Sequence, residues 1–383
     1  MSVTSPLGFR AAAATAGLKE SGTPDVAVVV NDGPSSAAAA VFTSNRCKAH
    51  PVLWSETAIR TGSARAVVLN SGGANCYTGP EGFATTHRTA ELAAELGGWG
   101  AIDTQVCSTG LIGRLLDVDA LHAGVRSAFA ALSADGGQDA ATAIMTTDTV
   151  AKTAESSQDG WTIGAMAKGA GMLAPALGTM LVVITTDADL PAAVLDRSLR
   201  AATAVTFDRL DSDGCQSTND TVLLMASGAA GVTPVEATFT EALTAVCHDL
   251  ALQLLADAEG AAHEITITTV NAASEADALT VGRAVSRSNL FKTAIFGGDP
   301  NWGRILASVG TTDAAFDPLD LDVAVNDVWV CRASGVGESI DLVDLSGRQV
   351  AITIDLKAGD HAATIWTNDL THAYVHENSA YST

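Results

Sequence analysis

Positive charge is scarce in this chain: 21 Lys and Arg stand against 43 Asp and Glu, for a net charge of −22 over 383 residues. That balance opposes nucleic-acid binding, because a phosphate backbone would be repelled rather than neutralised. Long apolar runs are missing too. None approaches the ~18 residues that a membrane-crossing helix needs, although the apolar fraction of 47% is ample for a globular core. The opening Met-Ser-Val-Thr-Ser-Pro-Leu has no basic stretch followed by an apolar one, so no secretion signal is read and a cytoplasmic location is expected. Cysteines occur only at 47, 76, 107, 215, 247 and 331, with no Cys-x-x-Cys pair. This argues against a zinc knuckle and for reduced, mostly buried thiols. The chain has neither a Gly-x-Ser-x-Gly elbow nor a Gly-x-x-x-x-Gly-Lys-Ser/Thr loop. His372 and His376 have helical spacing for two metal ligands, but lack the glutamate of His-Glu-x-x-His and a cysteine nearby. No metal and no cofactor are expected.

What is present is an interleaving of short apolar runs and amphipathic stretches. Residues 25–30, 64–70, 180–185, 222–225 and 265–268 read as strands, and so do 321–331, 349–356 and 361–367. Residues 80–96 read as a helix with proline near its start and Gly97-Gly98 past its end. Further helices are expected at 117–131, 137–145, 191–206, 235–258 and 274–286, the last with Ser274 as N-cap, before a polar tail. A chain of this length exceeds one ordinary core. The order lacks a strict βαβ rhythm, so the expected class is α+β with mixed sheets in layers. A soft boundary is placed near residue 280.

The chemically informative segment is Lys168-Gly-Ala-Gly-Met-Leu-Ala-Pro-Ala-Leu-Gly-Thr-Met-Leu181. A threonine hydroxyl is a poor nucleophile unless a base is supplied, and cutting the chain before Thr179 would supply its own α-amine. Gly178 offers no side chain to block attack on its carbonyl and tolerates strained angles. Residues 180–185 would hold the new terminus at a strand start. Lys168 is placed in a flexible Gly-x-Gly loop. Its glycines satisfy a relaxed dinucleotide fingerprint, but Pro175 and Gly178 prevent the helix that such a site requires.

The motifs taken together resemble the self-processing ornithine acetyltransferases, or glutamate N-acetyltransferases, of arginine biosynthesis. The resemblance runs through Asn70-Ser-Gly-Gly-Ala-Asn75, Cys107-Ser-Thr-Gly-Leu-Ile-Gly113, Ile144-Met-Thr-Thr-Asp-Thr149 and Asp213-Gly-Cys-Gln-Ser-Thr-Asn-Asp-Thr221. It continues through Asp257-Ala-Glu-Gly260, Gly298-Asp-Pro-Asn-Trp-Gly-Arg304 and Glu377-Asn-Ser-Ala-Tyr-Ser-Thr383. The resemblance implies an N-terminal-nucleophile-like site with cleavage between Gly178 and Thr179. An α fragment, residues 1–178, would carry the oxyanion turn and processing loop. A β fragment, residues 179–383, would begin at the nucleophile Thr179, with a smaller C-terminal α/β region from about 280. It also implies an oxyanion hole at Thr109 and Gly110, and substrate contacts from Thr146, Lys168, Thr179, Glu259, Asn378 and Thr383. The implied reaction moves acetyl from N2-acetylornithine to glutamate, in a heterotetramer of two α and two β fragments that engages neither nucleic acid nor membrane.

Some positions depart from the family pattern: Gly178 where alanine is usual, Cys76 and Tyr77 after Ala74-Asn75, and Ala262 and His263 where a Thr or Ser and a Lys are usual. Loss of a permanent cation near Glu259 bears on the acceptor and raises the alternative of a secondary-metabolism paralogue. A bifunctional enzyme that also takes acetyl-CoA is a further alternative, and an uncleaved regulatory relative is the non-enzymatic one.

Overall fold

The structure is a computed structural model that describes residues 2–171 and 180–380. Its described residues divide into two compact units, the first taking those up to 208 and 216–257 and the second 209–215 and 258–380.

The first unit holds strands β1 Phe9–Ala14, β2 Val26–Asn31, β3 Ala38–Phe42, β4 Ala66–Ser71, β5 Thr104–Thr109, β6 Lys152–Gln158, β7 Trp161–Lys168, β8 Leu181–Thr186 and β9 Thr221–Ala226. Its helices are α1 His50–Ala58, α2 Gly79–Gly97, α3 Val118–Ala130, α4 Gly137–Ala143, α5 Ala192–Val205 and α6 Glu236–Ala256. One sheet runs β1-β2-β4-β5 and the other β3-β9-β8-β7-β6. Each mixes directions, since β4–β5 and β8–β9 are parallel while their other pairings are antiparallel. The period-2 geometry of a strand explains how the layers form. Ala27, Val29, Val67 and Leu69 face a core shared with Leu181, Val183, Leu223 and Met225 of the second sheet. The alternate residues Val26, Val28, Val30, Ala66 and Val68 pack on Leu92 and Ala93 of α2 and on Leu121, Val125 and Ala128 of α3. The two sheets are therefore stacked face to face, and burial on both faces explains why their strands read as continuous apolar runs rather than alternating ones.

The second unit has strands β10 Glu264–Ala272, β11 Asp322–Val325, β12 Val328–Arg332, β13 Gly335–Val336, β14 Gln349–Asp355 and β15 His361–Asn368, in sheet order β13-β12-β11-β14-β10-β15. Helices α7 Glu275–Ser286, α8 Asn289–Phe296 and α9 Trp302–Val309 contribute Val281, Val285, Phe291, Ile295, Ile305 and Val309 to its core. The chain ends in α10 His372–Ala380.

Mixed-sheet α+β layers are as the sequence implies, and the caps follow the rules of helix ends. Asp117 accepts from the Ala120 N–H and Ser274 from the Asp277 N–H, each satisfying an orphan donor of the first turn. Three expectations need correction. Residues 321–331 are not one strand: Asn326 and Asp327, with φ of 46° and 65°, turn β11 into β12 as a two-residue hairpin pairing Val325 with Val328. The polar tail is helical as α10, whose lack of an apolar stripe hid it. The boundary placed near 280 falls inside α7, whereas the second unit takes in residues 209–215 and the described chain from Ala258 onward. No helix among the described residues is long and apolar enough to cross a membrane.

Candidate active site

Parallel pairing of β4 with β5 and of β8 with β9 brings several strand ends of the first unit together. Thr109 is the last residue of β5 and is buried. The next residue, Gly110, has a φ of +120°, and a Cβ there would lie 2.7 Å from the Gly73 nitrogen. Only glycine fits so tight an approach in that conformation. The Gly73 N–H in turn donates to the Thr109 carbonyl at 3.0 Å, so the segment that follows β4 braces the turn. Ser108 Oγ donates to Asn70 Oδ1 at 2.6 Å. Asn219 Nδ2 donates to the carbonyls of Ala74 and Ser108 at 2.7 and 2.8 Å. Thr109 and Gly110 line a small cavity whose opposite wall is Ser217, Thr218 and Asn219.

Lys168 is not in a loop. It ends β7 and is 1% exposed. Its Nζ donates to Thr146 Oγ1 at 2.6 Å and to Thr109 Oγ1 at 3.2 Å, and lies 3.8 Å from Asp148 Oδ2. The structure thus joins three residues singled out from sequence, and adds Asp148, which was not. Asp148 accepts from the Thr146 N–H at 3.0 Å, the Gly169 N–H at 2.6 Å and Lys152 Nζ at 2.7 Å. Burial works to raise its carboxyl, but the charges of Lys168 and Lys152, with the Lys152 and Gly169 hydrogen bonds, bring it down to about 2. Lys152 is itself fully buried and also paired with Asp257 at 2.6 Å. Asp220 was missed too. It accepts from the Met180 N–H at 3.0 Å through Oδ1, while Oδ2 has no hydrogen-bond partner among the described residues. Burial pushes its carboxyl well above the usual range. The signal for both acids lay in Thr-Thr-Asp-Thr and Ser-Thr-Asn-Asp-Thr, which combine hydroxyls with a short carboxylate. Gly178, Thr179 and Thr383 lie outside the described residues.

The second unit holds the remaining candidates. Glu259 comes just after the C-cap of α6 at Asp257, not within the helix. It lines a small cavity with Asp213, Arg287, Lys292, Asp369 and Tyr374. Burial, with the charges of Asp213 and Glu259, pushes the Tyr374 phenol up to about 12. Asn378 is on α10 and exposed, its Nδ2 donating back to the Tyr374 carbonyl at 3.0 Å. His263, one of the two departures near Glu259, is held structurally: Nδ1 pairs with Asp369 Oδ2 at 2.7 Å and Nε2 lies 3.2 Å from the Leu345 carbonyl. The N–H groups of Ala262 and His263 both donate to Asp369 Oδ1 at 2.9 Å. Cys76 is buried and Tyr77 is exposed, and neither lines the Thr109 cavity. His372 stacks edge-on against Phe296 at 5.5 Å. Among the described residues no group of three or more His, Cys, Asp or Glu is placed to hold a metal.

A family model described as the ArgJ family matches residues 10–383. The "Arginine biosynthesis bifunctional protein ArgJ" of Streptomyces coelicolor is 63% identical over 382 residues, covering 100% of both chains. The protein of the same name from Mycobacterium leprae is 56% identical, covering 99% of this chain and 95% of its own. Among solved structures, "Arginine biosynthesis bifunctional protein argJ" from Bacillus halodurans is 35% identical with a TM-score of 0.50, and it covers 52% of this chain and 98% of its own. With a family match over nearly the whole chain and relatives this similar end to end, the chain belongs to the ArgJ family.

Proposed function

We propose that this chain is an N-terminal-threonine acyltransferase of arginine biosynthesis that moves acetyl from N2-acetylornithine to glutamate. One observation carries the reading. Lys168 links the hydroxyls of Thr109 and Thr146 beside Gly110, while the amide nitrogen bonded to Thr179 is held by Asp220 in the same unit. The names printed for the relatives support it. So does the Bacillus halodurans chain, which aligns almost fully yet spans about half of this one, as a fragment of a chain cut near its middle would.

In this reading, cleavage between Gly178 and Thr179 yields fragments 1–178 and 179–383 and frees the Thr179 α-amine. That amine takes the hydroxyl proton as Oγ bonds to the acetyl carbonyl carbon, and the carbonyl electron pair moves onto oxygen. The Thr109 hydroxyl and the Gly110 N–H donate to that oxyanion. Its collapse breaks the C–N bond, and the ornithine nitrogen leaves with the proton held by the α-ammonium. The glutamate amine then attacks the acetyl ester, and the same amine accepts its proton and returns it to Oγ. No cofactor or metal enters these steps. Substrate contacts from Thr146, Lys168, Glu259, Asn378 and Thr383 and the tetramer of two α and two β fragments are carried over from the family resemblance, and a cytoplasmic location is in keeping with six cysteines that form no Cys-x-x-Cys pair. A second reading, in which acetyl-CoA is also a donor, is favoured by the word "bifunctional" in the relatives' names.

Intact mass of the purified protein tests the core of the proposal. Wild type should give two fragments, Thr179→Ala one full-length chain, and Thr179→Ser or Thr179→Cys two fragments formed more slowly. A wild-type chain that stays whole after prolonged incubation removes the α-amine base and promotes the uncleaved, regulatory alternative.

A further inference from the structure

We propose that Asp148 and Lys168 act together as positioning residues for the Thr109 hydroxyl, turning its proton toward the oxyanion; this rests on the acyl-transfer reading above. An ammonium has three N–H donors and no acceptor. In the 3.2 Å contact between Lys168 Nζ and Thr109 Oγ1, a protonated lysine can only donate, so Thr109 accepts. The Thr109 proton is then free for another acceptor. A neutral amine has a lone pair and could accept instead, which would consume that proton. The charge on Lys168 therefore decides which way the hydrogen bond runs, and with it whether Thr109 can serve the oxyanion.

Charge on a buried amine has to be maintained by its surroundings, because desolvation favours the neutral form. Asp148 is the anion in place to do so. Its Oδ2 is 3.8 Å from Lys168 Nζ, and its Oδ1 receives the N–H of Gly169, the residue that follows Lys168. One carboxylate thus fixes both the ammonium and the backbone that carries it. The Thr146 N–H and Lys152 hold that carboxylate from two further directions. Other charged groups act on Lys168 as well. Lys19, half-buried, is repelled by it, and Asp220 is attracted to it. Lys19 opposes the charged form, so Asp148 and Asp220 must offset it. Asp220, whose own carboxyl is driven toward neutrality by burial, is the weaker of the two anions. Asp148 remains ionised throughout the neutral range.

The test is the pH profile of kcat and KM for acetyl transfer from acetylornithine to glutamate, measured on the processed enzyme. Asp148→Asn should lower kcat roughly 10- to 100-fold with a smaller change in KM, as misplacement of a transition-state donor does. The basic limb of its kcat profile should move to lower pH by about one unit or more, because Lys168 loses the anion that favours its charged form. In a Thr109→Ala background the same substitution should cost little more, since both act through one hydroxyl. An unmoved basic limb, or effects that simply multiply with Thr109→Ala, would overturn the proposal. Where Asp148→Asn does not fold, Lys168→Arg replaces it: a guanidinium does not titrate in this range, so the basic limb should disappear, and its persistence would equally overturn the proposal. Full turnover by Thr109→Ala would remove the oxyanion reading itself and this inference with it. A Thr109→Ala deficit beside an unaffected Asp148→Asn would remove the positioning pair alone.

Discussion

Asp220 accepts the Met180 N–H at 3.0 Å, so a fully buried carboxyl is tied to the amide that directly follows Thr179. Burial raises that carboxyl well above its ordinary value. The consequence for stability has a definite sign. An acid whose folded value lies above its unfolded ~3.9 contributes fully below that pH, and the contribution is lost as pH rises toward the folded value. Asparagine cannot ionise and keeps an oxygen for Met180. In a Thr179→Ala background, where no α-amine is released, Asp220→Asn should therefore gain stability relative to Asp220 as pH is raised from about 4 to 8. Melting temperatures of the two proteins across that range check this. A difference that does not change with pH would show that Asp220 does not titrate as a buried acid.

Asp148 predicts the opposite slope. Its carboxyl is held down at about 2 by Lys168 and Lys152 against the effect of burial. The stabilisation is present above the unfolded ~3.9 and disappears as pH falls through the folded value. Acid unfolding followed by circular dichroism should show wild type losing stability between about pH 4 and 2, with Asp148→Asn flatter in that window. Lys152 is fully buried between Asp148 and Asp257. Truncating it to alanine leaves both carboxylates without that ammonium, and about 3–5 kcal/mol should be lost. Urea titration reads that loss, and a cost below about 1 kcal/mol, typical of an exposed pair, would contradict the burial argument.

The Thr109 assignment makes a kinetic prediction that separates chemistry from architecture. Thr109 is buried at the end of β5, and its carbonyl already anchors the Gly73 N–H through the backbone. Removing only the hydroxyl in Thr109→Ala leaves that brace in place. Turnover should fall roughly a hundredfold or more while KM changes less, as for a donor that acts in the transition state. Unchanged turnover with a lower melting temperature would make Thr109 a turn residue only.

The legible parts of this fold were those written in local pattern. Val26–Asn31 and Ala66–Ser71 are legible as strands because both faces are buried and each opens with a continuous apolar run, Val26–Val30 and Ala66–Leu69. The β11–β12 hairpin was hidden because Asn326 and Asp327 interrupt an otherwise apolar run, and their left-handed backbone is a property that sequence shows only weakly. The site divides in the same manner. Thr109, Gly110, Thr146 and Lys168 are candidates through the family resemblance, yet the glycines after Lys168 suggest a flexible loop where the structure has this lysine at a buried strand end. What fixes it there are partners 59, 22 and 20 residues away by number, Thr109, Thr146 and Asp148. Such contacts depend on sheet order, which no local window contains. Asp148 and Asp220 were overlooked for that reason, although both stand inside motifs that were recognised.

The choice of donor gives the most direct test of the acyl-enzyme. The chain has no phosphate-cradling Gly-x-x-x-x-Gly-Lys-Ser/Thr loop, and acidic residues outnumber basic ones about two to one. The cavity lined by Glu259 is small and its lining is mostly polar, which suits an amino acid better than coenzyme A. With acetylornithine as donor and glutamate as acceptor, initial-rate plots should be parallel, as in ping-pong transfer. Donor given alone should leave one acetyl group on the fragment that begins with Thr179, seen by mass spectrometry. Acetyl-CoA at the same glutamate concentration should give a much lower rate. Comparable rates from the two donors would establish the bifunctional reading instead, while the adduct would still identify Thr179. Intersecting lines with no adduct would remove the covalent intermediate. Normal cleavage with neither donor accepted would point to an altered substrate. Cys76 and Tyr77 would then be the first positions to revert, because His263 is already engaged by Asp369 and Leu345.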